Sequence, residues 1–341
     1  MSGKILVTGG TGYIGSHTVV ELLNEGYVVT IVDDLSNSYI EVLDNIEKIT
    51  DRRPDFHKID LRNYEAINEV FQRTSFDGII HFAAKKAVGE SVQKPLLYYD
   101  VNINSLINLL KLMEETSVKH IVFSSSCTVY GQPLTLPVTE ETPFQPAESP
   151  YGNTKQICEE VLRDHCNVNQ ECNVISLRYF NPVGAHETGL IGELPTGVPN
   201  NLVPFITQTA AGIREQLNVF GGDYETHDGT AIRDYIHVVD LAKAHIIALE
   251  RQKKKKNSQN YEYFNLGTGT GSSVLDVIKA FEESTGEIVN YKITDRRPGD
   301  VVRIYADTQK ANNILGWKAN LDLNAMMASA WKWQNNLKST Q

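Results

Sequence analysis

The chain has 341 residues, 41% of them hydrophobic, and a formal net charge of -10. This length is enough for about two domains, and the negative charge excludes a surface built to attract DNA, RNA or anionic lipid. Each apolar run is shorter than the ~18–20 residues that cross a membrane, so the sequence predicts no membrane span and no secretory signal. We therefore expect a cytoplasmic protein whose four cysteines are reduced thiols.

A strand, a glycine-rich turn and a helix are predicted at the start of the chain. Residues 4–8 form an apolar run typical of a buried strand, and residues 16–23 have helical apolar spacing. Between them, Gly9 permits a tight turn, Gly12 lets a pyrophosphate approach the backbone, and Gly15 lets the helix pack close to the strand. Because a helix N-terminus also attracts phosphates, this unit predicts a dinucleotide site.

The second predicted strand, residues 27–32, is followed by Asp33, which lies 18 positions after Gly15. An acid at about this distance holds the ribose hydroxyls in dinucleotide-binding folds. Its negative charge would repel the extra 2′-phosphate of NADP, so Asp33 favours NAD. The alternative is that Asp33 only caps a loop.

Strands and helices alternate through the first half of the chain. The further apolar runs that predict strands are residues 55–59, 78–82, 120–124 and 173–177. This alternation predicts an α/β fold of the Rossmann type, in which a doubly wound parallel sheet carries helices on both faces. From about residue 180, loops rich in Gly, Pro and Asn predict a smaller, mixed α/β lobe that closes over the carboxyl edge of the sheet.

One predicted helix has an apolar stripe at steps of three and four residues. The stripe consists of Leu96, Tyr99, Ile103, Leu106, Leu110 and Met113. Two interpretations remain open: the stripe faces the core of its own subunit, or it contacts a second subunit in a helical bundle. It is too short for a free coiled coil.

Tyr151 and Lys155 lie one turn apart on another predicted helix. Ser149 could cap this helix and Pro150 could begin it. A tyrosine with a pKa of about 10 is a poor base at neutral pH, but a nearby ammonium group favours the phenolate and lowers that pKa. We therefore expect Lys155, aided by a bound nicotinamide cation, to make Tyr151 a usable base beside the serine-rich strand end at residues 124–126.

Together these motifs resemble the extended short-chain dehydrogenase/reductase family, and within it the enzymes that epimerise nucleotide sugars at carbon 4. The further motifs that carry the resemblance are residues 86–91, 124–131, 178–182, 199–202, 228–237 and 296–300. They cover nearly the whole chain and follow one another in the same order, which makes the match specific. The resemblance implies an NAD-binding Rossmann domain formed by residues 1–180 and roughly 236–266, and a UDP-sugar-binding domain formed by residues 181–235 and 267–341.

The resemblance also implies the residues of the site. The catalytic residues would be Ser126, Tyr151 and Lys155. The residues expected to bind NAD are Gly9, Gly12, Tyr13, Ile14, Asp33, Asn37, Asp60, Leu61, Phe82, Ala83, Lys86, Asn102, Ser124, Tyr151, Lys155 and Tyr179. The residues expected to bind the UDP-sugar are Lys86, Ser126, Tyr151, Asn181, Asn201, Leu202, Arg233, Tyr235, Arg297, Asp300 and Ile304. The two arginines could clamp the diphosphate with planar, always-charged groups.

The implied reaction interconverts UDP-galactose and UDP-glucose at carbon 4 without net oxidation, as part of galactose metabolism. Tyr151 would remove the proton from the sugar 4-hydroxyl while a hydride passes to NAD, and Ser126 would hydrogen-bond the same oxygen. The 4-keto sugar would turn over in the pocket and receive the hydride on its other face. Related enzymes pair through two helices per subunit, so a homodimer is expected, and Ile304 is expected to disfavour N-acetylated sugars.

The chain departs from the common pattern of these enzymes at Asp34, Ala84 and Cys127. Nucleotide-sugar dehydratases would carry an acid and a base where Cys127 and Thr128 stand, and UDP-glucuronate decarboxylases would carry a Ser-Glu pair there. A third alternative is an NAD-binding regulator without activity. The intact catalytic triad argues against a regulator, because a sensor needs no phenolate base.

Overall fold

The computed structural model describes residues 3–296 and 301–338. The strands are β1 (Lys4–Thr8), β2 (Val28–Asp33), β3 (Asp55–Lys58), β4 (Gly78–His81), β5 (His120–Ser126), β6 (Asn173–Tyr179), β7 (Asn181–Val183), β8 (Leu217–Phe220), β9 (Ile232–His237), β10 (Tyr261–Leu266), β11 (Gly271–Ser273), β12 (Tyr291–Thr294) and β13 (Arg303–Ile304). The α-helices are α1 (Tyr13–Asn24), α2 (Val42–Thr50), α3 (Tyr64–Arg73), α4 (Val88–Gln93), α5 (Pro95–Glu115), α6 (Pro150–Val168), α7 (Leu202–Ala210), α8 (Val238–Lys253), α9 (Val274–Thr285) and α10 (Leu323–Lys338).

A parallel sheet of seven strands, in the order β3-β2-β1-β4-β5-β6-β10, forms the centre of the molecule. Helices α1, α2 and α8 cover one face with one apolar cluster, and helices α3, α5 and α6 cover the other face with a second. Because both faces are covered, the inner strands are continuous apolar runs, and Ile5, Leu6 and Val7 of β1 are fully buried. The predicted doubly wound, Rossmann-type fold is confirmed.

The order of the strands creates a crevice between β1 and β4. Strand β1 pairs with β2 on one side and with β4 on the other, so the chain connections leave in opposite directions at this point. Ligands of such sheets bind beyond the carboxyl ends of the strands at this reversal. A buried 2.7 Å hydrogen bond between Thr8 Oγ1 and His81 Nδ1 joins the carboxyl ends of β1 and β4.

Each predicted strand is present, with its ends shifted by at most two residues. The largest shifts are in β5 and β6, which continue to Ser126 and Tyr179. These last residues are polar, yet they are buried and lie opposite each other in the sheet. The apolar runs stop short of these residues because their polar atoms are paired: Ser126 Oγ accepts a hydrogen bond from the Thr128 N–H, and the Tyr179 hydroxyl hydrogen-bonds Ser124 Oγ.

The strands that follow β6, apart from β10, form two small sheets. Strand β9 pairs with β7, β11 and β13, and β8 pairs with β12. Helices α7, α9 and α10 pack on these sheets around a separate apolar cluster. The domain boundaries at residues 180, 235 and 266 stay a prediction. Within the described part of the chain, no helix combines the length and apolar character that a membrane span needs.

The apolar stripe of α5 is divided between core and surface. Leu106 and Met113 are buried in the cluster beneath α5, as the core interpretation predicts. Leu96, at the start of the stripe, is 82% exposed. Tyr99 accepts a 2.7 Å hydrogen bond from Asn153 Nδ2 of α6. The core interpretation is therefore correct from Ile103 onward, since Ile103 also packs against this cluster, whereas Leu96 lies at the surface and the half-buried Tyr99 contacts α6.

Candidate active site

The glycine turn between β1 and α1 leaves space that a side chain would fill. Gly9 has φ of +71°, and a Cβ atom there would lie 2.7 Å from the backbone nitrogen of Ala83. A Cβ atom on Gly15 would lie 2.1 Å from the carbonyl oxygen of Gly9. Gly12 precedes α1 without a side-chain cap, so the N–H groups of the first turn, beginning at Tyr13, are left for an anion. This turn fits the diphosphate of a dinucleotide.

Asp33 is held beside the glycine turn by its own hydrogen bonds. Its carboxylate accepts from the backbone N–H groups of Thr11 at 3.2 Å and Leu35 at 2.9 Å, and from Ser38 Oγ at 3.2 Å. It lies at the carboxyl end of β2 and is nearly buried. These contacts place a fixed negative charge where the sequence predicts the adenosine ribose.

Two departures from the family pattern have local explanations. The Asp34 carboxylate accepts a 2.8 Å hydrogen bond from the N–H of Ser36 and thereby stabilises the turn after β2. Burial raises the pKa of the Cys127 thiol to about 12, so this side chain is a neutral thiol near pH 7. Cys127 cannot supply the acid–base chemistry of a dehydratase at that position.

Most other residues predicted to bind NAD lie in the loops that follow β3 and β4 or at the ends of β5 and β6. Asp60 forms a 2.6 Å ion pair with Arg62, and hydrogen bonds from Arg62 lower the pKa of this carboxyl group. Asn102 of α5 accepts from the Lys85 N–H at 2.8 Å and donates to Thr154 Oγ1 at 2.9 Å, which fastens the loop after β4 to α6. The remaining predicted residues in these places are Leu61, Phe82, Ala83, Lys86, Ser124 and Tyr179.

Helix α6 begins where the sequence predicts. Pro150 is its first residue, and Ser149 caps it by accepting a 3.1 Å hydrogen bond from the N–H of Gly152. Proline suits this position because its fixed φ is helical and its missing N–H would have had no helical partner. The cap and the proline together fix the residue at which α6 begins.

Ser126, Tyr151 and Lys155 meet where β5 ends against the first two turns of α6. The Ser126 hydroxyl accepts a 3.2 Å hydrogen bond from the Thr128 N–H and acts on the Tyr151 phenol to lower its pKa. Lys155 Nζ donates a 2.7 Å hydrogen bond to the carbonyl of Ser124 and lies 6.0 Å from the centre of the Tyr151 ring. The Ser124 hydroxyl in turn hydrogen-bonds the Tyr179 hydroxyl. The structure thus brings all three predicted catalytic residues together.

Burial shifts the pKa values of two catalytic residues in the protein alone. Burial raises the pKa of Tyr151 to about 12, although the hydrogen bond with Ser126 works against this rise. Burial also lowers the pKa of Lys155 to about 8, while Cys158 and Glu159 oppose that change. In the protein alone, the ammonium group of Lys155, 6.0 Å from the ring, does not offset the loss of hydration, and the combined effect of Lys155 and a nicotinamide cation stays a prediction.

Four of the predicted sugar-nucleotide residues lie together on the small sheet around β9. Asn181 of β7 lies opposite Tyr235, and Ile304 of β13 lies opposite Arg233. The Arg233 guanidinium donates a 2.7 Å hydrogen bond to the carbonyl of Val301. Ile304 is nearly buried in an apolar cluster next to the end of β5.

Two further predicted residues are joined by an acid that sequence reasoning missed. Glu193 Oε1 accepts a 2.6 Å hydrogen bond from Asn201 Nδ2 and lies 3.4 Å from Lys86 Nζ. Leu202, next to Asn201, begins α7. Glu193 lies in an irregular loop, where no periodic pattern predicts which side chains reach the other lobe. Two predicted residues lie outside the described part of the chain: Arg297 and Asp300.

The same loop contacts the ribose end of the crevice. Thr196 Oγ1 donates a 3.2 Å hydrogen bond to Asn37 Oδ1, and Asn37 is one of the residues predicted to bind NAD. Tyr13 donates a 2.6 Å hydrogen bond to the carbonyl of Gly184, where the loop leaves β7. The loop is therefore held at the start of α1 and after β2, and its Glu193 also reaches Lys86 after β4.

The glycine turn, the nearly buried acid after β2 and the Ser–Tyr–Lys group define an extended short-chain dehydrogenase/reductase. In agreement, residues 6–330 match the sequence model of the family described as GDP-mannose 4,6 dehydratase.

More specific similarity comes from individual proteins. The UDP-glucose 4-epimerase of Bacillus subtilis is 52% identical over 332 residues, which are 97% of each chain, and that of Homo sapiens is 49% identical over 340 residues, 98% of this chain and 97% of that one. The chain belongs to the UDP-glucose 4-epimerase family.

Two crystal structures of such enzymes share the fold throughout. The enzyme of Stenotrophomonas maltophila, with bound NAD and formylated UDP-arabinopyranose, is 46% identical with a TM-score of 0.96, covering 99% of this chain and 100% of that chain. The enzyme of Bifidobacterium longum, in complex with NAD+ and UDP, is 47% identical with a TM-score of 0.94 at the same coverage.

Proposed function

We propose that this protein interconverts UDP-galactose and UDP-glucose by inverting carbon 4 of the hexose, with NAD as a tightly held cofactor. The observation that carries the proposal is the meeting of Ser126, Tyr151 and Lys155 at the carboxyl end of β5, beside a glycine turn that fits a dinucleotide. The near-50% identity to UDP-glucose 4-epimerases over almost the whole chain supports the choice of substrate.

The residues around the crevice suit NAD. The first turn of α1 would hold the diphosphate, and the Asp33 carboxylate would accept hydrogen bonds from the adenosine ribose. Lys155 and Ser124, joined by a 2.7 Å hydrogen bond, would contact the nicotinamide ribose beside the catalytic group. When bound, NAD accepts a hydride from the sugar and later returns it.

Tyr151 acts as the base for the sugar 4-hydroxyl. With a pKa of about 12 in the protein alone, it needs positive charge nearby before it can work at neutral pH. Lys155 supplies one charge, and the oxidised nicotinamide adds a second. Ser126 donates a hydrogen bond to the same sugar oxygen and helps to relay the 4-hydroxyl proton to Tyr151. The anchor for the nucleotide is the small sheet with Arg233 and Tyr235, so that the sugar alone can turn.

A turnover assay tests the proposal. Purified protein is incubated with UDP-galactose and no added cofactor, and the nucleotide sugars are separated. We expect a mixture of UDP-glucose and UDP-galactose. Protein that holds NAD but leaves UDP-galactose unchanged would favour the regulator alternative, and a dehydrated or decarboxylated product would favour the other two classes.

The charge of Asp33 predicts the cofactor that the purified protein carries. Denaturation should release NAD or NADH in near-stoichiometric amount and no NADP, because the carboxylate repels a 2′-phosphate. Asp33→Asn should lower this content, whereas Asp34→Asn should not, since Asp34 only stabilises a surface turn. Enzymatic cycling assays specific for each cofactor make the measurement. Release of NADP from the native protein contradicts the role of Asp33.

Ile304 is proposed to limit the size of the sugar. A 2-acetamido group needs more room than a hydroxyl, and overfilling a packed wall costs ~1–3 kcal/mol. Ile304→Ser should therefore raise kcat/KM for UDP-N-acetylglucosamine by about 10-fold or more while UDP-glucose is used as before. Ile278→Ser, also buried but in the cluster under α9, controls for general loosening. Equal kcat/KM of the native enzyme for UDP-glucose and UDP-N-acetylglucosamine would contradict this proposal.

The exposed apolar residues of α4 and α5 favour a homodimer. Val88, Val92 and Leu96 follow one another at steps of four and are 49%, 61% and 82% exposed. A second copy covering them beside α6 would bury this surface. Sedimentation at micromolar concentration should give a dimer, and Leu96→Asp should shift it to monomer. Leu134→Asp, at an 88% exposed residue elsewhere, should leave the dimer intact. A native monomer contradicts the proposal.

Four unpaired cysteines, three of them buried, support the cytoplasmic location that we also propose.

A further inference from the structure

A buried ion pair lies directly beneath the catalytic residues. Glu159 of α6 and Arg178 of β6 are 2% and 3% exposed. Arg178 Nε donates to both carboxylate oxygens of Glu159, at 2.9 and 3.1 Å, and Nη2 donates to Oε2 at 2.5 Å. Neither residue contributes to the mechanism described above, and the sequence analysis assigned a role to neither, although Arg178 begins the motif at residues 178–182.

The pair has further hydrogen bonds and ring contacts. Glu159 accepts from Ser125 Oγ at 2.5 Å and from Tyr261 Oη at 2.9 Å, and Arg178 Nη1 donates to Tyr130 Oη at 2.9 Å. The guanidinium carbon also lies 4.2 Å from the centre of the Tyr263 ring. Burying two charges costs several kcal/mol per ion, and apolar residues of the same volume often stabilise a fold as well. A purely structural role therefore does not account well for the desolvation cost of this buried ion pair.

The ion pair is connected to the reacting groups through α6 and through β5. Glu159 lies one helical turn after Lys155 and two turns after Tyr151, on the same face of α6. Ser125 lies between Ser124, whose carbonyl accepts from Lys155, and the catalytic Ser126. The ion pair thus joins the helix of the Tyr–Lys pair to the strand of the serine.

The groups around Lys155 make the charge of Glu159 important. Lys155 Nζ lies 4.8 Å from the Phe123 ring centre and donates to a neutral carbonyl. Burial lowers the pKa of Lys155, and Cys158 and Glu159 act against that change by favouring the charged form. The titratable or charged side chains that face Lys155 are Tyr151, Cys158 and Glu159 from α6 and His81 from β4, with Arg178 of β6 paired to Glu159.

We propose that Glu159, held by Arg178, is a positioning residue for the epimerase reaction: its charge keeps Lys155 protonated, and its hydrogen bond to Ser125 sets the place of Ser126. The proposal rests on the proposed function, since it assigns a role within that catalytic group. Glu159 touches neither sugar nor cofactor and acts through Lys155 and Ser125.

The test compares pH profiles of turnover of UDP-galactose for three variants with that of the native protein. Glu159→Gln keeps the shape and removes the charge. Because a charge one helical turn away is lost, the alkaline limb of kcat should move about one to two pH units lower. KM should change little. Glu159→Asp restores the charge and should return the limb to its native place. Ser125→Ala should lower kcat with the limb unmoved.

The outcomes separate this role from a structural one. If Glu159→Gln and Glu159→Asp shift the limb alike, or if Glu159→Gln leaves it in place, the charge role is overturned. Native kcat in Ser125→Ala overturns the positioning of Ser126. Should Glu159→Gln not accumulate, the double variant Glu159→Gln/Arg178→Met also removes the guanidinium that would be left without its carboxylate, and a shift in the same direction is expected. Absence of turnover in the native protein would instead refute the proposed function.

Discussion

Replacing Tyr151 by phenylalanine should reduce kcat by roughly 10²–10⁴-fold or more, the usual loss when a positioned acid–base group is removed. The phenylalanine keeps the ring against α6 and β5 and loses only the hydroxyl, so the fold should persist. The content of bound NAD should also persist, because the glycine turn and Asp33 are unchanged. Steady-state kinetics with UDP-galactose, together with assay of released NAD, measures both results.

A matched tyrosine controls for loss of a hydroxyl as such. Tyr64→Phe removes a hydroxyl that donates to Glu115 at the protein surface, and it should leave kcat unchanged. Near-native activity of Tyr151→Phe would remove Tyr151 from its assigned role. Loss of both activity and NAD would show that the residue supports the cofactor site rather than the chemistry.

Replacing Gly15 by alanine should abolish stable NAD binding. The new Cβ atom would lie 2.1 Å from the carbonyl oxygen of Gly9 and 2.9 Å from Gly10 Cα, and both are backbone atoms. The turn must therefore open, which separates α1 from β1 and moves the N–H groups that would hold the diphosphate. Overpacking of this kind costs typically ~1–3 kcal/mol or more. Cofactor content and thermal unfolding of the purified variant measure the effect.

Gly89 provides the control for this substitution. It lies in α4, and a Cβ atom there would meet nothing within 4 Å. Gly89→Ala should keep native NAD content and be neutral or slightly more stable, because alanine favours a helix over glycine by ~1 kcal/mol. A Gly15→Ala protein that retains NAD with a native melting temperature contradicts the assigned geometry of the turn.

The sequence predicts those elements whose structure is determined by neighbouring residues in the chain. The apolar run before Gly9, the glycines and the start of α6 at Pro150 are each determined within a few residues, and the structure has them as expected. The strand ends at Ser126 and Tyr179 were missed because their burial depends on partners far along the chain.

Contacts between distant segments account for the rest. Glu193 and Lys86 are 107 positions apart, and the Glu159–Arg178 pair is formed by a helix and the strand after it. No periodicity encodes which acid meets which base across such distances. The high pKa of Tyr151 also depends on distant segments. Burial by the whole site raises it, and the spacing of Tyr151 and Lys155 in the sequence does not reveal that burial.

The fate of the hydrogen on carbon 4 tests the account most directly. UDP-galactose that carries deuterium at carbon 4 is incubated with the protein in ordinary water without added NAD, and the UDP-glucose formed is analysed by mass spectrometry and NMR. Because the hydride leaves and returns within one closed site, the product should retain the deuterium at carbon 4. Product that has exchanged this deuterium for solvent hydrogen, or no product at all, would contradict hydride transfer to a tightly held cofactor.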